Sequence, residues 1–163
     1  MKKIIFSSIF SFFLTHSAWA EDAVSMVSTK RLTLPTAVKV AQAAIDHCTE
    51  KGIQIGVTVV DREGIIQVTL RDTIAAQITV PISHRKAYTA ANFNSATSAL
   101  GERANSPVGR APMILMSAGG LPIVVSGSLV GAVGVSGAPA GETDEECAQA
   151  GIDAVLDDLE MSL

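Results

Sequence analysis

Ile55-Gly-Val-Thr-Val-Val-Asp61, then Arg62-Glu-Gly64, then Ile65-Ile-Gln-Val-Thr-Leu-Arg71 is the stretch that decides the fold. Two runs rich in β-branched residues flank a short turn that contains glycine, which is the signature of a β-hairpin. A hairpin means antiparallel pairing, since parallel neighbours need a long crossover between them. On the N-terminal side, Thr33 can cap a helix running from about Leu34 to Glu50, with Pro35 in its first turn and Gly52 closing its end. Leu34, Ala37, Val38, Ala41, Ile45 and Cys48 fall on one stripe of that helix, and most are small enough to let it lie close to a sheet.

On the C-terminal side, Pro81 opens a second helix, Ile82 to about Phe93, and Ser95 to Gly101 forms a further short one. Glu102 to Pro112 reads as loop. Three apolar runs follow, Met113–Ser117, Leu121–Ser126 and Leu129–Ser136, which predict a three-stranded meander and bring the strand count to five. Thr143-Asp-Glu-Glu146 has the pattern of a capping box ahead of a last helix with Cys147, Gly151, Ala154 and Val155 on one side. The order α, β, β, α, β, β, β, α predicts an α+β domain, an antiparallel sheet flanked by helices.

Met1–Ala20 carries a basic start, an apolar run from Ile4 to Leu14 and the small-x-small site Ala18-Trp-Ala20, the pattern of a cleaved export signal. Eleven apolar residues rise only about 16 Å as a helix, too little for a bilayer core of about 30 Å, so no membrane anchor is expected. The expected location is a periplasm or the outside of the cell. Residues 21–31 read as a flexible leader and 32–163 as one domain.

Without the signal, 10 Lys+Arg stand against 16 Asp+Glu, a formal charge of −6. That balance argues against nucleic acid, which needs a clustered basic surface. Roughly 18% of the mature chain is charged, below the usual 25% or so. So few charges cover a small globule poorly, and self-association into a homo-oligomer is expected. Cys48 and Cys147 would meet an oxidising compartment, either joined or as two buried hydrophobes that never meet.

No nucleophile elbow, zinc-protease helix, phosphate loop or dinucleotide fingerprint is present. Gly131 and Gly134, inside a strand, read as places where a helix or backbone approaches closely. Gly119-Gly120 is a turn whose amides either serve the turn alone or meet an anion. The mature chain has two histidines, His47 near the end of the first helix and His84 in the first turns of the second, ahead of Arg85 and Lys86. These would be the first candidates for a metal or haem iron. Met113 and Met116 read as strand and core residues, and Asp61, Arg71, Asp72 and Lys86 as charges bordering the hairpin and second helix.

Val59-Val-Asp61 with Gly64, Arg71-Asp72, Lys86-Ala-Tyr-Thr-Ala-Ala91, Gly119-Gly-Leu-Pro-Ile123, and Gly131-Ala-Val-Gly-Val-Ser-Gly-Ala138 before Asp144-Glu145 occur here in one order. This set resembles the GlcG/HbpS-like haem-binding family, to which the C-terminal domain of PduO also belongs. The resemblance implies a five-stranded antiparallel sheet of profilin-like topology, assembly into homo-oligomers, and haem as cofactor. It places a ligand site between the second helix, the Phe93–Gly101 segment and the Gly119-Gly120 turn. Tyr88 and Phe93 would then give apolar contact, Arg85, Lys86 or Arg103 would pair with propionates, and Thr97 or His84 would approach the iron. Thr97 matches the family threonine, whereas Ser98 stands where the PduO-type domain carries histidine. The alternative is an enzyme or auxiliary factor for a hydroxy acid or related organic anion, with Lys86 and Asp61 as acid/base pair. A third reading is an assembly module without a ligand.

Overall fold

A computed structural model describes residues 25–162; the expected export signal and the first residues of the expected leader lie outside them. Helix α1 (Leu34–Glu50) precedes a hairpin of β1 (Gly56–Asp61) and β2 (Ile66–Arg71). Helix α2 (Thr79–Phe93), two short 3-10 helices (Thr97–Arg103 and Val108–Arg110), the hairpin β3 (Gly120–Val125) and β4 (Ser128–Ser136), and helix α3 (Gly141–Glu160) follow. The strands form one antiparallel sheet in the order β2-β1-β4-β3. The two hairpins therefore meet through β1 and β4 at the centre, and β2 and β3 are edges.

Strand alternation assigns the two faces. Val57 and Val59 of β1 and Val133 and Val135 of β4 join Val40, Ala44, Cys147, Ile152 and Val155 of α1 and α3 in the main core. Val60 and Ala132 turn the other way, onto Ala87, Ala90 and Ala91 of α2. The sheet is thus covered by α1 and α3 on one face and by α2 on the other.

Helix α1 begins and ends as the sequence predicts, with Thr33 Oγ1 accepting from Thr36 N at 3.4 Å. Its buried stripe is Ala37, Val40, Ala41, Ala44 and Cys48, rotated from the expected one, so that Leu34 and Val38 are exposed. Cys48 and Cys147 are joined in a disulfide that ties α1 to α3.

The sheet has four strands, not five. Met113–Ser117 alternates like a strand but makes no ladder, because its backbone groups are taken by α2. Arg85 donates to the Ile114 carbonyl at 2.7 Å, and Leu115 N–H donates to Thr89 Oγ1 at 2.8 Å. Ile114 and Met116 fill a satellite cluster with Leu100, Tyr88 and Phe93. The capping box also fails: α3 starts at Gly141, no side chain caps it, and Thr143 is already helical. Ala154 faces solvent rather than the core. Among the described residues no helix is long and apolar enough to cross a membrane.

The close approach expected at Gly131 and Gly134 is present. A Cβ on Gly134 would lie 2.1 Å from the Ser83 carbonyl oxygen and 2.5 Å from Ala87 N, while one on Gly131 would lie 2.6 Å from the Val60 carbonyl. Helix α2 rests directly on the β4 backbone, and the neighbouring alanines keep that separation. Gly134→Ala is expected to push α2 off the sheet and to cost about 3 kcal/mol in urea unfolding; an unchanged midpoint would contradict this packing.

Candidate functional site

Helix α2 carries two sets of polar side chains, and they do different work. On its inner face Ser83 Oγ meets Thr58 Oγ1 of β1 at 2.9 Å, and Lys86 runs under the sheet margin. Lys86 Nζ donates to Asp144 Oδ2 at 2.7 Å and to the Val135 carbonyl at 2.9 Å, with both side chains of the ion pair only 4% exposed. Asp144 Oδ1 accepts from Ala138 N at 2.9 Å. Burial pushes the Asp144 carboxyl above its usual range, and the Lys86 and Ala138 hydrogen bonds work against that rise. Gly119 passes so close that a Cβ there would lie 2.6 Å from Lys86 Nζ.

Thr97 belongs to the same knot. It is fully buried, its Oγ1 accepting from Gly120 N at 2.9 Å and lying 3.4 Å from the Gly120 carbonyl. The Gly119-Gly120 turn is therefore occupied by the protein itself: Thr97 takes the Gly120 amide, and Val135 N–H donates to the Gly119 carbonyl at 2.8 Å. These residues lock α2, β3, β4 and α3 together.

Asp61 is held elsewhere. Its Oδ1 accepts from Glu63 N and Ile65 N in the hairpin turn, and its Oδ2 pairs with Arg31 at 2.8 Å. Lys86 meets the sheet at Val135, whose partner on β1 is Val57. Four residues of strand, about 13 Å, separate that level from Asp61. The structure does not assemble Lys86 and Asp61 into an acid/base pair.

The outer flank of α2 is different. His84 and Tyr88, one turn apart, line an open groove of about 470 Å³ with Gly64, Ile65 and Ile66 of the first hairpin and with Met113. The hairpin end leaves Ile65 65% exposed and Ile66 47% exposed, an apolar wall left open among the described residues. Gly64 has φ +85, and a Cβ there would lie 2.7 Å from the Tyr88 ring, so the turn needs glycine for its backbone and for the ring packed over it. Burial lowers the His84 pKa below 6.5, opposed in part by hydrogen bonding to the Gly64 backbone. That direction favours the uncharged imidazole, the form that binds a metal.

Arg85 is fixed to the Ile114 carbonyl beside Met113, which uses only part of its guanidinium. Phe93 and Arg103 stack at 5.1 Å over the satellite cluster, and His47 stays on α1 near Glu146. The sequence-predicted residues therefore do not converge: Lys86, Thr97, Gly119 and Gly120 lie in the buried knot, His84 and Tyr88 line the groove, Phe93 and Arg103 lie at the satellite cluster, and Asp61, Arg85 and His47 are each held apart from these sets. Sequence reasoning missed Asp144 as the partner of Lys86, 58 residues away, and it missed the groove wall at Ile65, Ile66 and Met113. The exposed isoleucine pair beside a turn glycine was the available signal for that wall. No group of three or more His, Cys, Asp or Glu able to hold a bare metal ion occurs among the described residues.

A four-stranded sheet backed by two helices on one face, with a third helix on the other bordering an open groove, makes a small α+β domain. Residues 32–153 match the family model of the haem-degrading protein HbpS-like, and the chain belongs to that family. A doubly substituted variant of Streptomyces reticuli HbpS is 35% identical, with a TM-score of 0.77 over 87% of this chain and 99% of that one. A Citrobacter freundii protein described as an uncharacterized 15.0 kDa protein in the dhaT-dhaS intergenic region is 30% identical over 129 residues, 75% of this chain and 90% of its own. The PduOC:heme complex shares the fold at 24% identity, with a TM-score of 0.70 over 76% of this chain and 94% of that one.

Proposed function

We propose that the chain is an exported haem-binding protein whose ligand seats in the groove beside His84. The observation that carries this is the part-buried His84 imidazole lining an open groove whose Ile65 and Ile66 walls are exposed. A planar apolar macrocycle bearing a metal matches both features, because the walls take the ring and the imidazole takes the iron. The family's description as haem-degrading and the haem of the PduOC complex support the same ligand. Haem supplies an iron centre; the chain supplies His84 as ligand, Ile65, Ile66 and Tyr88 as contact surface, and the unused N–H groups of Arg85 for a propionate. Thr97, Lys86, Phe93, Gly119 and Gly120 act on this reading by holding α2 and its neighbours in place. Export is supported by the signal-like Met1–Ala20 and by the Cys48–Cys147 disulfide, a bond that persists in oxidising compartments. Self-association is supported by the low charge and by the exposed Ile65, Ile66, Ile74 and Ile78.

Haemin titrated into residues 21–163 is expected to give a saturable, stoichiometric Soret band absent from an unrelated acidic protein. His84→Ala should shift that band and weaken binding at least tenfold, about 1.4 kcal/mol, whereas Thr97→Ser should leave the spectrum unchanged. Because only the neutral imidazole binds iron and its pKa lies below 6.5, affinity should hold down to that pH and then fall as the pH drops through the folded pKa. A band that His84→Ala leaves unmoved would sink this assignment.

A further inference from the structure

Exposed isoleucines sit at both ends of one sheet edge. Ile65 and Ile66 stand where β2 starts, Ile74 and Ile78 follow its end, and each is at least 47% exposed. Helix α2 runs alongside in the opposite sense, with Tyr88 against Gly64 near the start of the strand and Thr79 against Gly56, the partner of Arg71, at its end. Two grooves therefore share one margin: the His84 groove at one end, and at the other a groove of about 540 Å³ lined by Ala76, Gln77, Ile78 and Pro81.

The edge between them is open. Asp72 N–H donates to the Ile55 carbonyl, so by alternation Leu70 and Val68 bond to β1, while the N–H and C=O groups of Thr69 and Arg71 point away from the sheet. Those groups have no backbone partner among the described residues. Proteins commonly blunt such an edge with proline or lysine. The other edge strand, β3, contains Pro122, whereas β2 reads Ile-Gln-Val-Thr-Leu-Arg.

Deepening the self-association read above, we propose that a second copy pairs with this edge, β2 against β2, across a two-fold axis perpendicular to the sheet, and that its Ile74 and Ile78 close the His84 groove. Such an axis makes the strands antiparallel and keeps both α2 helices on one side of the joined sheet. The start of each β2 then lies beside the end of the other, so each isoleucine pair meets the opposite pair. Charge selects the same sense. Arg71, which has no carboxylate partner among the described residues, comes to the end that carries Glu63, whereas parallel pairing would set Arg71 against Arg71. At their exposures the four isoleucines leave roughly 450 Å² per copy to be covered, more than half of the ~800 Å² that a stable interface takes from each partner. The closing role rests on the haem reading as well; the pairing does not.

The test begins with residues 21–163 free of haemin, whose sedimentation is expected to give a dimer or an even multiple of one. Thr69→Pro removes an N–H that points off the sheet, and Ile78→Glu puts a charge on an exposed residue; each should at least halve the mass while far-UV circular dichroism stays that of wild type. With a short bis-maleimide, co-expressed Ile66→Cys and Ile78→Cys chains should cross-link to each other, and neither should cross-link when expressed alone. Ile78→Glu should also weaken haemin binding at least tenfold, although it changes no residue of its own chain's His84 groove. A wild type that is monomeric at tens of micromolar, or a mass that neither substitution lowers, overturns the pairing. Equal haemin affinity in wild type and monomeric Ile78→Glu overturns the closing role. If wild type binds no haemin while masses and cross-links come out as expected, the haem reading falls and the pairing stands.

Discussion

Lys86→Met is expected to destabilise the protein by about 3–5 kcal/mol at neutral pH, because it leaves the Asp144 carboxylate buried without its partner. The cost should depend on pH in a defined sense. Burial already holds the Asp144 carboxyl above its ordinary range, and removing the ammonium raises it further. A carboxyl with a raised folded pKa carries its full penalty above that pKa, and the penalty disappears as the pH falls toward the unfolded value near 3.8. The Lys86→Met deficit measured by urea unfolding should therefore shrink from pH 8 to pH 5. Asp144→Asn strands the ammonium instead, and its deficit should persist at both pH values. The double variant, Lys86→Met with Asp144→Asn, keeps an acceptor for the Ala138 N–H and removes both charges, so it should recover most of the loss. Two single deficits that simply add in the double variant would show that the residues do not act as a pair.

The second large effect concerns Cys48 and Cys147, 99 residues apart. Cross-linking a loop of about 100 residues restricts the unfolded chain by up to about 4.7 kcal/mol in the loop-entropy description. Replacing both cysteines by alanine is expected to cost about 2–4 kcal/mol in denaturant, and unfolding under dithiothreitol should give the same deficit in the unaltered protein. Both sulfurs lie in the main core with no exposed surface, so the folded protein should resist the reductant until it opens. Equal midpoints with and without reductant would contradict this.

The parts of the fold written in local pattern were legible. The hairpin between Gly56 and Arg71 follows from alternation and a turn glycine, and α1 from its cap, proline and stripe. The close approach at Gly134 follows from glycine inside a strand. The errors arose where a residue's partner lies far along the chain. Met113–Ser117 has the composition of a strand, but Arg85 and Thr89 satisfy its backbone before another strand can. Thr143 to Glu146 has a capping pattern, yet Asp144 is recruited by Lys86 and the helix starts earlier. The site divided for the same reason. Lys86 and His84 are two residues apart in sequence, but on a helix that spacing points them in opposite directions, one into the knot and one into the groove. Thr97 could be singled out in the sequence, but its bond to Gly120, 23 residues away, could not.

The disulfide also changes what a cut chain is. Between Cys48 and Cys147 lie all four strands, α2, and every residue of the groove. A protease that clips the exposed stretch around Glu102, Arg103 or Asn105 opens a ring rather than severing a thread. The two pieces stay covalently one molecule, with the halves of the sheet still tethered for re-pairing, and only a reductant releases them. In surroundings rich in proteases and poor in thiols, such a chain can be nicked without being lost.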